Sequence, residues 1–512
     1  MKRIIYLIAG LAALSACTNL DEEVFSKLNK DIYFTDEEHF IRYSARTYAT
    51  MQAWATEQCY WTFDIQIGDE VCVPLNPVGD WYDEGRYRQL QTHDIQAGNK
   101  LLLKAWEYCF NGISACNDVL DVFESLKNDM PGRDRVIAEI KVLRAYFYLS
   151  AICYWKEIPF TDKKDLKSYP DKKDRAFVFD FIEREIKENI DYLAEEPDVE
   201  YYGRVTRGVA DFVLAKLYLN AEFLVGTPRW ADAEAACKDI MTRNGGSSYY
   251  SLEENYKDLF KVHNEFSPEG ILAIPYSTVY TTSDHYAFII YMSTLPVDLC
   301  RPMGINAKAW DGLVGEPDFL ASYEEGDIRK AATWIYGQQY DLDGNALTID
   351  IDGSTVPYVI DPDFPESALT ERRTALQGAR IGKWEYQSDG TLTGGQVGMD
   401  NDFYIMRYAD VVLMYLEALL RQGKTGADAA AMTDFDKIRT RAGLEPIPFA
   451  DLTLDKLYQE RAHELAIEGW HRQDMIRFGK YLDRWWCKEV KTEDDYNLPI
   501  PASIVASNPK LQ

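Results

Sequence analysis

A mainly helical fold with an irregular segment set into it is what this sequence predicts, and three observations carry that expectation. Apolar residues recur at three- and four-residue intervals over long stretches on both sides of the chain's middle. Between residues 243 and 400 that period is lost, and Gly, Pro, Asp, Ser and Thr become frequent around short extended runs such as "GILAIPYSTVY" and "STVPYVI". Short turns join the helical segments, which makes neighbours into helical hairpins of an α-solenoid-like stack. A clean tetratricopeptide signature is missing, so the pattern by itself supports hairpins and no named repeat.

The first segment is not part of that stack. Lys2 and Arg3 precede an apolar run from Ile4 to Leu14, too short for a spanning helix of about 20 residues but suited to a secretory signal. Ser15 and Ala16 keep the chain slim just before Cys17, and the string L-S-A-C resembles a bacterial lipobox, in which the cysteine thiol is joined to diacylglycerol. Residues 1–16 are therefore expected to be a signal peptide, Cys17 the point of lipid attachment, and 17–34 a lipidated N-terminus and tether. At about 0.8 kcal/mol per buried methylene, several acyl chains hold a protein on a membrane. Asp21, Glu22 and Glu23 resemble the acidic signal that sends some lipoproteins to the outer cell surface.

An N-terminal helical part is expected over 35–242. Helix formers dominate near 36–57, where Asp36 is a plausible cap, and near 100–126. In "RDRVIAEIKVLRAYFYLSAICYWKEIPF", Val136, Ile140, Leu143, Phe147, Ala151 and Tyr154 form one apolar face, and Pro159 ends the pattern. Helices follow at 174–195, 206–224 and 229–242, with Pro228 read as a first-turn proline. After the irregular 243–400 region, a C-terminal helical part over 401–512 carries helices at 402–421, 426–442, 454–469 and about 470–486. The ending "YNLPIPASIVASNPKLQ" reads as extended.

Charge and motif content narrow the function. The formal net charge is -28, from 83 acids against 55 bases, a field that repels phosphate backbones and excludes nucleic acid as a partner. Eight cysteines follow Cys17 without a C-x-x-C pair, and buried thiols are expected of a chain this large. "HELAIE" begins like a zinc-protease helix, but Ile467 stands where the second histidine is needed. "GKT" at 423–425 follows a helix rather than a strand, with Ala418 in the place of the leading glycine of a phosphate loop. Asp341, Asp343 and Asn345 imitate a calcium loop, but Gly344 comes two positions early, and a turn explains the cluster. No enzyme, metal or cofactor signature emerges, although a carboxylate pair for glycoside hydrolysis is a matter of spacing that sequence does not show.

Two aromatic clusters lie off the helical faces. The first is "IGDEVCVPLNPVGDWYDEGRYRQL", which offers Asp69, Glu70, Asn76, Asp80, Trp81, Tyr82 and Arg86. The second runs through "PYSTVYTTSDHYAFIIYM" and "INAKAWDGL", with Tyr280, His285, Tyr291, Asn306 and Trp310. Flat rings cover the C–H faces of a sugar while carboxylates, amides and Arg take its hydroxyls, so these loops suit a glycan platform. Composition also allows the plainer role, in which Trp81 and Trp310 are loop anchors packed on the helices.

In chain order, "GDEVCVP…GDWYDEGRYRQL", "LRAYFYLSAICYWKEIPF", "GRVTRGVADFVLAKLYLNA", "FYIMRYADVVLMYLEAL", "IRTRAGL", "ERAHELAIEGWHRQDMIRFGK" and "LPIPASIVASNP" resemble the motifs of the SusD/RagB family of outer-membrane nutrient-binding lipoproteins. The resemblance implies a tetratricopeptide-like helical frame with an irregular lid-like region. It implies binding rather than catalysis, with an oligosaccharide or polysaccharide delivered to a SusC-like TonB-dependent transporter. It implies a lipid anchor in the outer membrane, facing the cell exterior. Peptides or another nutrient on the same scaffold, a surface glycoside hydrolase and a purely structural partner of the transporter are the competing readings. By position in the family pattern Asp69 and Trp81 match a ligand arc best, Asn76 sits where an Arg is often found, and Tyr82, Tyr280, Tyr291 and Trp310 complete the expected ligand-binding set. Arg144, Arg407, Arg461, Glu464, Arg472 and Asp474 fall in shared helices and are expected to be structural ion pairs.

Overall fold

The computed structural model describes residues 33–55, 59–126, 130–164, 168–281, 290–305, 308–387, 392–393 and 396–511. Cys17, the expected signal and most of the tether lie outside the described residues, as do His285 and Asn306.

Asp36 caps the first helix, α1 (Glu37–Ala49), by accepting the His39 N–H at 3.2 Å, and the chain runs on as a 3-10 turn to Trp54. A short, wholly buried helix α2 (Tyr60–Gln66) leads into strand β1 (Val71–Cys72). Helix α3 (Lys100–Glu124) is capped by Asn99, whose side-chain oxygen accepts from Leu101 N at 2.9 Å and Leu102 N at 3.3 Å. It packs on α4 (Arg133–Tyr154), and the approach is close because Gly112 has no side chain: a Cβ there would lie 2.5 Å from the Phe147 ring. The predicted face of α4 is buried, and so is most of its opposite face, because α5 (Arg175–Asn189) covers it. Such a helix is central to a core rather than amphipathic on its surface.

Helix α6 (Arg207–Leu219) stops at Asn220, whose side chain turns back to donate to the Lys216 carbonyl at 2.8 Å; a short helix from Ala221 to Val225 follows. The single helix expected over 206–224 is thus two. Helix α7 (Trp230–Thr242) takes Arg229 as its cap, so Pro228 precedes the helix instead of opening its first turn.

In the middle of the chain the described elements are short. Strand β2 (Gly270–Ile274) and strand β3 (Val314–Gly315) matter most. β3 pairs antiparallel with β1, placing Val71 opposite Gly315, and so ties the loop after β1 to the middle segment. Strand β4 (Phe403–Arg407) pairs antiparallel with β2 and occupies the start of the helix expected at 402. Helices α8 (Tyr408–Arg421), α9 (Ala429–Arg441), α10 (Leu454–Glu464) and α11 (His471–Arg477) complete the frame. α10 and α11 are shorter than expected: Ile467 turns the chain at φ 56, and α11 ends nine residues before 486. The terminal segment holds a helix from Ala502 to Ser507 rather than only extended chain. α7 packs on both α6 and α8, which joins the two helical parts through one continuous buried core.

That core holds charges in closed networks. Arg407 bonds Glu269 and Glu464 at 2.8 Å and Glu468 at 2.7 Å, and Glu464 also accepts from Arg441 at 2.6 Å and Arg329 at 3.0 Å. Arg461 reaches Asp474 at 2.7 Å and Asp410 at 2.9 Å, and Arg144 pairs with Glu185. Arg472 departs from the expected ion pair: it donates to the carbonyls of Cys153 and Tyr496, both at 2.9 Å. The arginines around Glu464 and Asp474 outweigh burial and hold both carboxyls well below the usual carboxylate range. The eight cysteines after Cys17 are free thiols, all buried except the half-buried Cys487. Among the described residues no helix is long and apolar enough to cross a membrane.

Candidate functional site

The loop after β1 is built on a turn that its own sequence specifies. The Asn76 side-chain oxygen accepts from the backbone N–H groups of Gly79 and Asp80, both at 2.9 Å, as an Asx turn does. Leu75 is fixed from outside, donating to the Ala368 carbonyl and accepting from Arg373 N, both at 3.0 Å. Beyond the turn the backbone is unusual. Trp81 (φ 75), Asp83 (φ 44) and Glu84 (φ 62) are all left-handed without being glycine, each at a cost of about 1–3 kcal/mol.

Facing this loop are residues 290–305 and 308–312. Trp310 N donates to the Met292 carbonyl at 2.7 Å and Gly312 N to the Ser293 carbonyl at 3.0 Å. Asp311, at φ 53, is clamped by Arg373 at 2.6 Å and Arg380 at 3.0 Å. Burial, reinforced by Arg380 alongside and opposed by Asp311, lowers the Arg373 guanidinium to about 10, so it stays charged at neutral pH.

The two segments meet through one side chain. The Trp81 indole N–H donates to the Trp310 carbonyl at 2.6 Å, and its ring lies so close over Gly312 that a Cβ there would be 2.3 Å from it. Tyr87 sits on the other side, 5.2 Å between ring centroids. The result is a cavity of about 660 Å³ whose wall includes Asn76, Val78, Trp81, Val297 and Trp310, with Asp80, Asp83, Asp298 and Lys308 around it. That volume suits a small-molecule or oligomer segment. Three expected residues, Asn76, Trp81 and Trp310, are therefore brought together. Trp81 is at once a loop anchor and a cavity wall.

The other expected residues lie elsewhere. Asp69 does not line the cavity; its carboxylate takes the His471 Nε2 at 2.7 Å, on the side facing α11. Burial alone would lower the His471 imidazole, but Asp69 and Glu70 raise it to about 9. Glu70 is buried, accepts the Ile467 N–H, and is pushed by burial up to about 8. The Asp-Glu pair thus fastens the loop to the C-terminal helices, which corrects the ligand role expected of Asp69. Tyr82 is exposed at the loop tip and outside the cavity wall. Tyr280 is 87% exposed and also outside it. Tyr291 is a correction: it has no exposed surface and its ring faces Tyr386 at 6.0 Å, so it packs the core and presents no face to a ligand. Sequence reasoning missed Val78, Val297 and Asp298. The Pro-Val pairs at 77–78 and 296–297 were their only signal.

The rejected motifs have ordinary structural explanations. His463 bonds Ser322 at 2.9 Å, Lys424 pairs with Glu234 at 2.5 Å, and Asp341 accepts from Asp343 N and Asn345 N within its own turn. Among the described residues no group of three or more His, Cys, Asp or Glu could hold a metal ion.

The family model described as "SusD family" matches residues 232–502, and one described as "Starch-binding associating with outer membrane" matches residues 36–219. A SusD-like protein of Bacteroides ovatus is 27% identical over 500 residues, spanning 94% of this chain and 83% of its own length. The starch-binding protein SusD of Bacteroides thetaiotaomicron is 27% identical over 440 residues, 79% of this chain and 76% of its own. Among solved structures, surface glycan-binding protein A from Bacteroides thetaiotaomicron, in complex with laminarihexaose, superposes with a TM-score of 0.74 at 20% identity, covering 93% of this chain and 99% of its own. A laminarin binding SusD-like protein superposes at 0.73 and 23% identity, over 93% of this chain and 98% of its own. At such identities the likeness is one of fold, a helical frame of tetratricopeptide-like type.

Proposed function

The chain belongs to the SusD family, and from that premise we propose that it captures oligosaccharides at the outer-membrane surface and delivers them to a SusC-like TonB-dependent transporter. The observation that carries the binding half is the cavity of about 660 Å³ walled by Trp81 and Trp310 on strained, externally clamped loops. Indole rings offer flat apolar faces to sugar C–H groups, and the acids around them accept hydroxyl protons. Lys308 is the sole cation among the described lining residues, beside Asp80, Asp83 and Asp298. With a net charge of -28, that lining favours a neutral glycan over a sulfated or uronic one. The names of the relatives, starch-binding and laminarin binding, support the same ligand class.

The anchoring half rests on sequence. Cys17 is the lipid attachment point, residues 1–16 are removed as a signal, and the acids at 21–23 direct the protein to the exterior. The reading assigns binding without catalysis and invokes no metal or cofactor. Residues 35–242 and 401–512 act as the frame, and 243–400 supplies one wall of the site.

Calorimetric titration of protein lacking residues 1–17 against a panel of neutral oligosaccharides tests it. Binding to at least one glycan, lost in Trp310→Ala, is expected; no binding to any, or binding indifferent to both Trp310→Ala and Trp81→Ala, refutes it. Sugar release by the pure protein would refute the non-catalytic part. Palmitate labelling of cells should disappear in Cys17→Ala, and a tagged protein should co-purify with a TonB-dependent barrel.

A further inference from the structure

A second built surface lies elsewhere on the frame. Two hollows of about 310 and 270 Å³ adjoin, sharing Tyr202 and Gly203, and neither shares a lining residue with the cavity at Trp81. Phe266 forms part of the first hollow. It sits at φ 63 and is 54% exposed, so a bulky side chain is held in a left-handed conformation without being buried. Backbone strain of this kind persists only where the surroundings over-determine it. Here they do. Buried Asn264 donates to the carbonyls of Leu259 at 2.6 Å and Asp402 at 3.0 Å and accepts from Asp402 N at 2.7 Å. On the other side of Phe266, Ser267 N donates to the Tyr404 hydroxyl at 3.1 Å, and Ser267 Oγ donates to Glu253 at 2.6 Å.

The Phe266 ring lies 4.6 Å from that of Tyr202 at 48°, and the Tyr202 hydroxyl is fixed by Asp402. The two rings therefore form a rigid, exposed aromatic corner, with the carboxylates of Glu196 and Asp198 and the phenol of Tyr249 along the same hollow. Arg204 is the sole cation among the described residues lining either hollow, and Glu139 already takes it through two bonds of 2.6 and 3.1 Å. Among the described lining residues no unpaired cation is left to receive an anion. Hydroxyl-accepting acids beside flat rings fit a neutral polyhydroxylated chain.

We propose that this groove is a second carbohydrate-binding site, in which Phe266 and Tyr202 stack a neutral glycan whose next residues run past Gly203. The ligand class rests on the reading of the first cavity, whereas the existence of the site rests on its own geometry. On a protein tethered to a surface, two sites on one long chain raise retention without any new contact, because the second engagement becomes intramolecular.

The test compares the wild-type protein with Trp310→Ala, Phe266→Ala and the double variant. Titrations use whichever neutral oligosaccharide of the panel binds, and electrophoresis uses gels containing its polysaccharide. Two sites in the wild type, one in each single variant and none in the double are expected, with gel retention weakened at least about threefold by Phe266→Ala. Phe266→Gly guards against unfolding, since glycine takes φ 63 freely. Its thermal midpoint should match the wild type while the second site is lost. One wild-type site, lost in Trp310→Ala and untouched by Phe266→Ala, overturns this proposal and leaves the first reading standing. Binding lost in Phe266→Ala but indifferent to Trp310→Ala and Trp81→Ala does the reverse. No glycan bound by the wild type overturns both, and a peptide pool titrating at Phe266 in place of glycans overturns this one.

Discussion

Gly312→Ala isolates the contribution of the Trp81 wall, because in the folded protein the added methyl acts through sterics alone. Gly312 lies outside the left-handed region, so alanine is conformationally allowed there, but its Cβ would stand 2.3–2.5 Å from three atoms of the indole. Real Cβ contacts are essentially never under 3.0 Å, so the ring must retreat by close to an ångström. The backbone beneath cannot retreat instead, since Gly312 N and Leu313 N both bond the Ser293 carbonyl, at 3.0 and 2.7 Å. A ring shift of that size breaks the 2.6 Å bond from Trp81 to the Trp310 carbonyl. The lost hydrogen bond is worth about 1 kcal/mol, and overpacking adds about 1–3 kcal/mol, much of it relieved as the exposed loop lifts. If the ring's place in the cavity matters, glycan affinity should fall by about 1.4–2.8 kcal/mol, roughly 10- to 100-fold. Global stability should fall by about 1 kcal/mol or less, because the helical core is untouched. Calorimetric titration and chemical denaturation of the same sample separate the two. An affinity within twofold of wild type, with the stability loss present, would show that the cavity wall does not hold the ligand.

Three further outcomes follow from the frame and the second groove. Glu464→Ala leaves Arg329, Arg407 and Arg441 facing a buried hole and should cost about 3–5 kcal/mol in urea denaturation, with Glu464→Gln intermediate. His471, raised from 6.5 to about 9, and Glu70, raised from 4.5 to about 8, both bind protons more tightly when folded. Their contribution is complete below the unfolded pKa values and is lost as pH rises through the folded ones. The thermal midpoint should therefore decline from about pH 4.5 to 8 through Glu70 and from 6.5 to 9 through His471, and His471→Gln should shrink the upper part of that limb; a flat wild-type profile would refute the assignment. Phe266→Gly exchanges relief of about 1–2 kcal/mol of left-handed strain for an aromatic contact of about 0.5–1.5 kcal/mol, so its denaturation free energy should stay within about 1 kcal/mol of wild type.

The helices were legible because their period is a local property: α4 needs only its own 22 residues to announce a buried face. β4 was not, since "FYIMRYADVVLMYL" is apolar apart from Arg407 and Asp410, and both of those are buried too, so a fully buried strand running into a buried helix has no period to mark the join. Trp81 and Trp310 stood out as tryptophans in Gly/Pro-broken loops. That they meet across 229 positions depends on a β1–β3 pairing only two residues long, too short to leave a pattern. Asp69 beside a glycine looked like a hydroxyl receiver, yet its partner His471 is 402 positions away. Tyr291 is buried together with its neighbours Ile290 and Met292, and the apolar run "FIIYM" is a core signal set inside a segment of otherwise loop-like composition.

What the loops could not reveal locally is why they can hold left-handed residues at Trp81, Asp83, Glu84 and Asp311 at all. Each such residue favours relaxation by about 1–3 kcal/mol, so an isolated loop would collapse out of this shape. The restraints come from distant elements. Ala368 and Arg373 grip Leu75, Arg373 and Arg380 grip Asp311, and Glu70 and Asp69 fasten β1 and the turn before it to Ile467 and His471. Ile467 follows Glu464 and precedes Glu468, both of which are locked on Arg407. The buried charge network is thus continuous, through the peptide bond between Ile467 and Glu468, with the clamp on the site. A cavity shaped before its ligand arrives spends little ordering entropy on binding, which favours capture of a flexible ligand. The same continuity distinguishes two kinds of damage. Loosening the network by Glu468→Gln should weaken binding through the loop while sparing the ring contacts themselves. Truncating Trp310 should weaken binding and leave the loop's hydrogen-exchange protection intact.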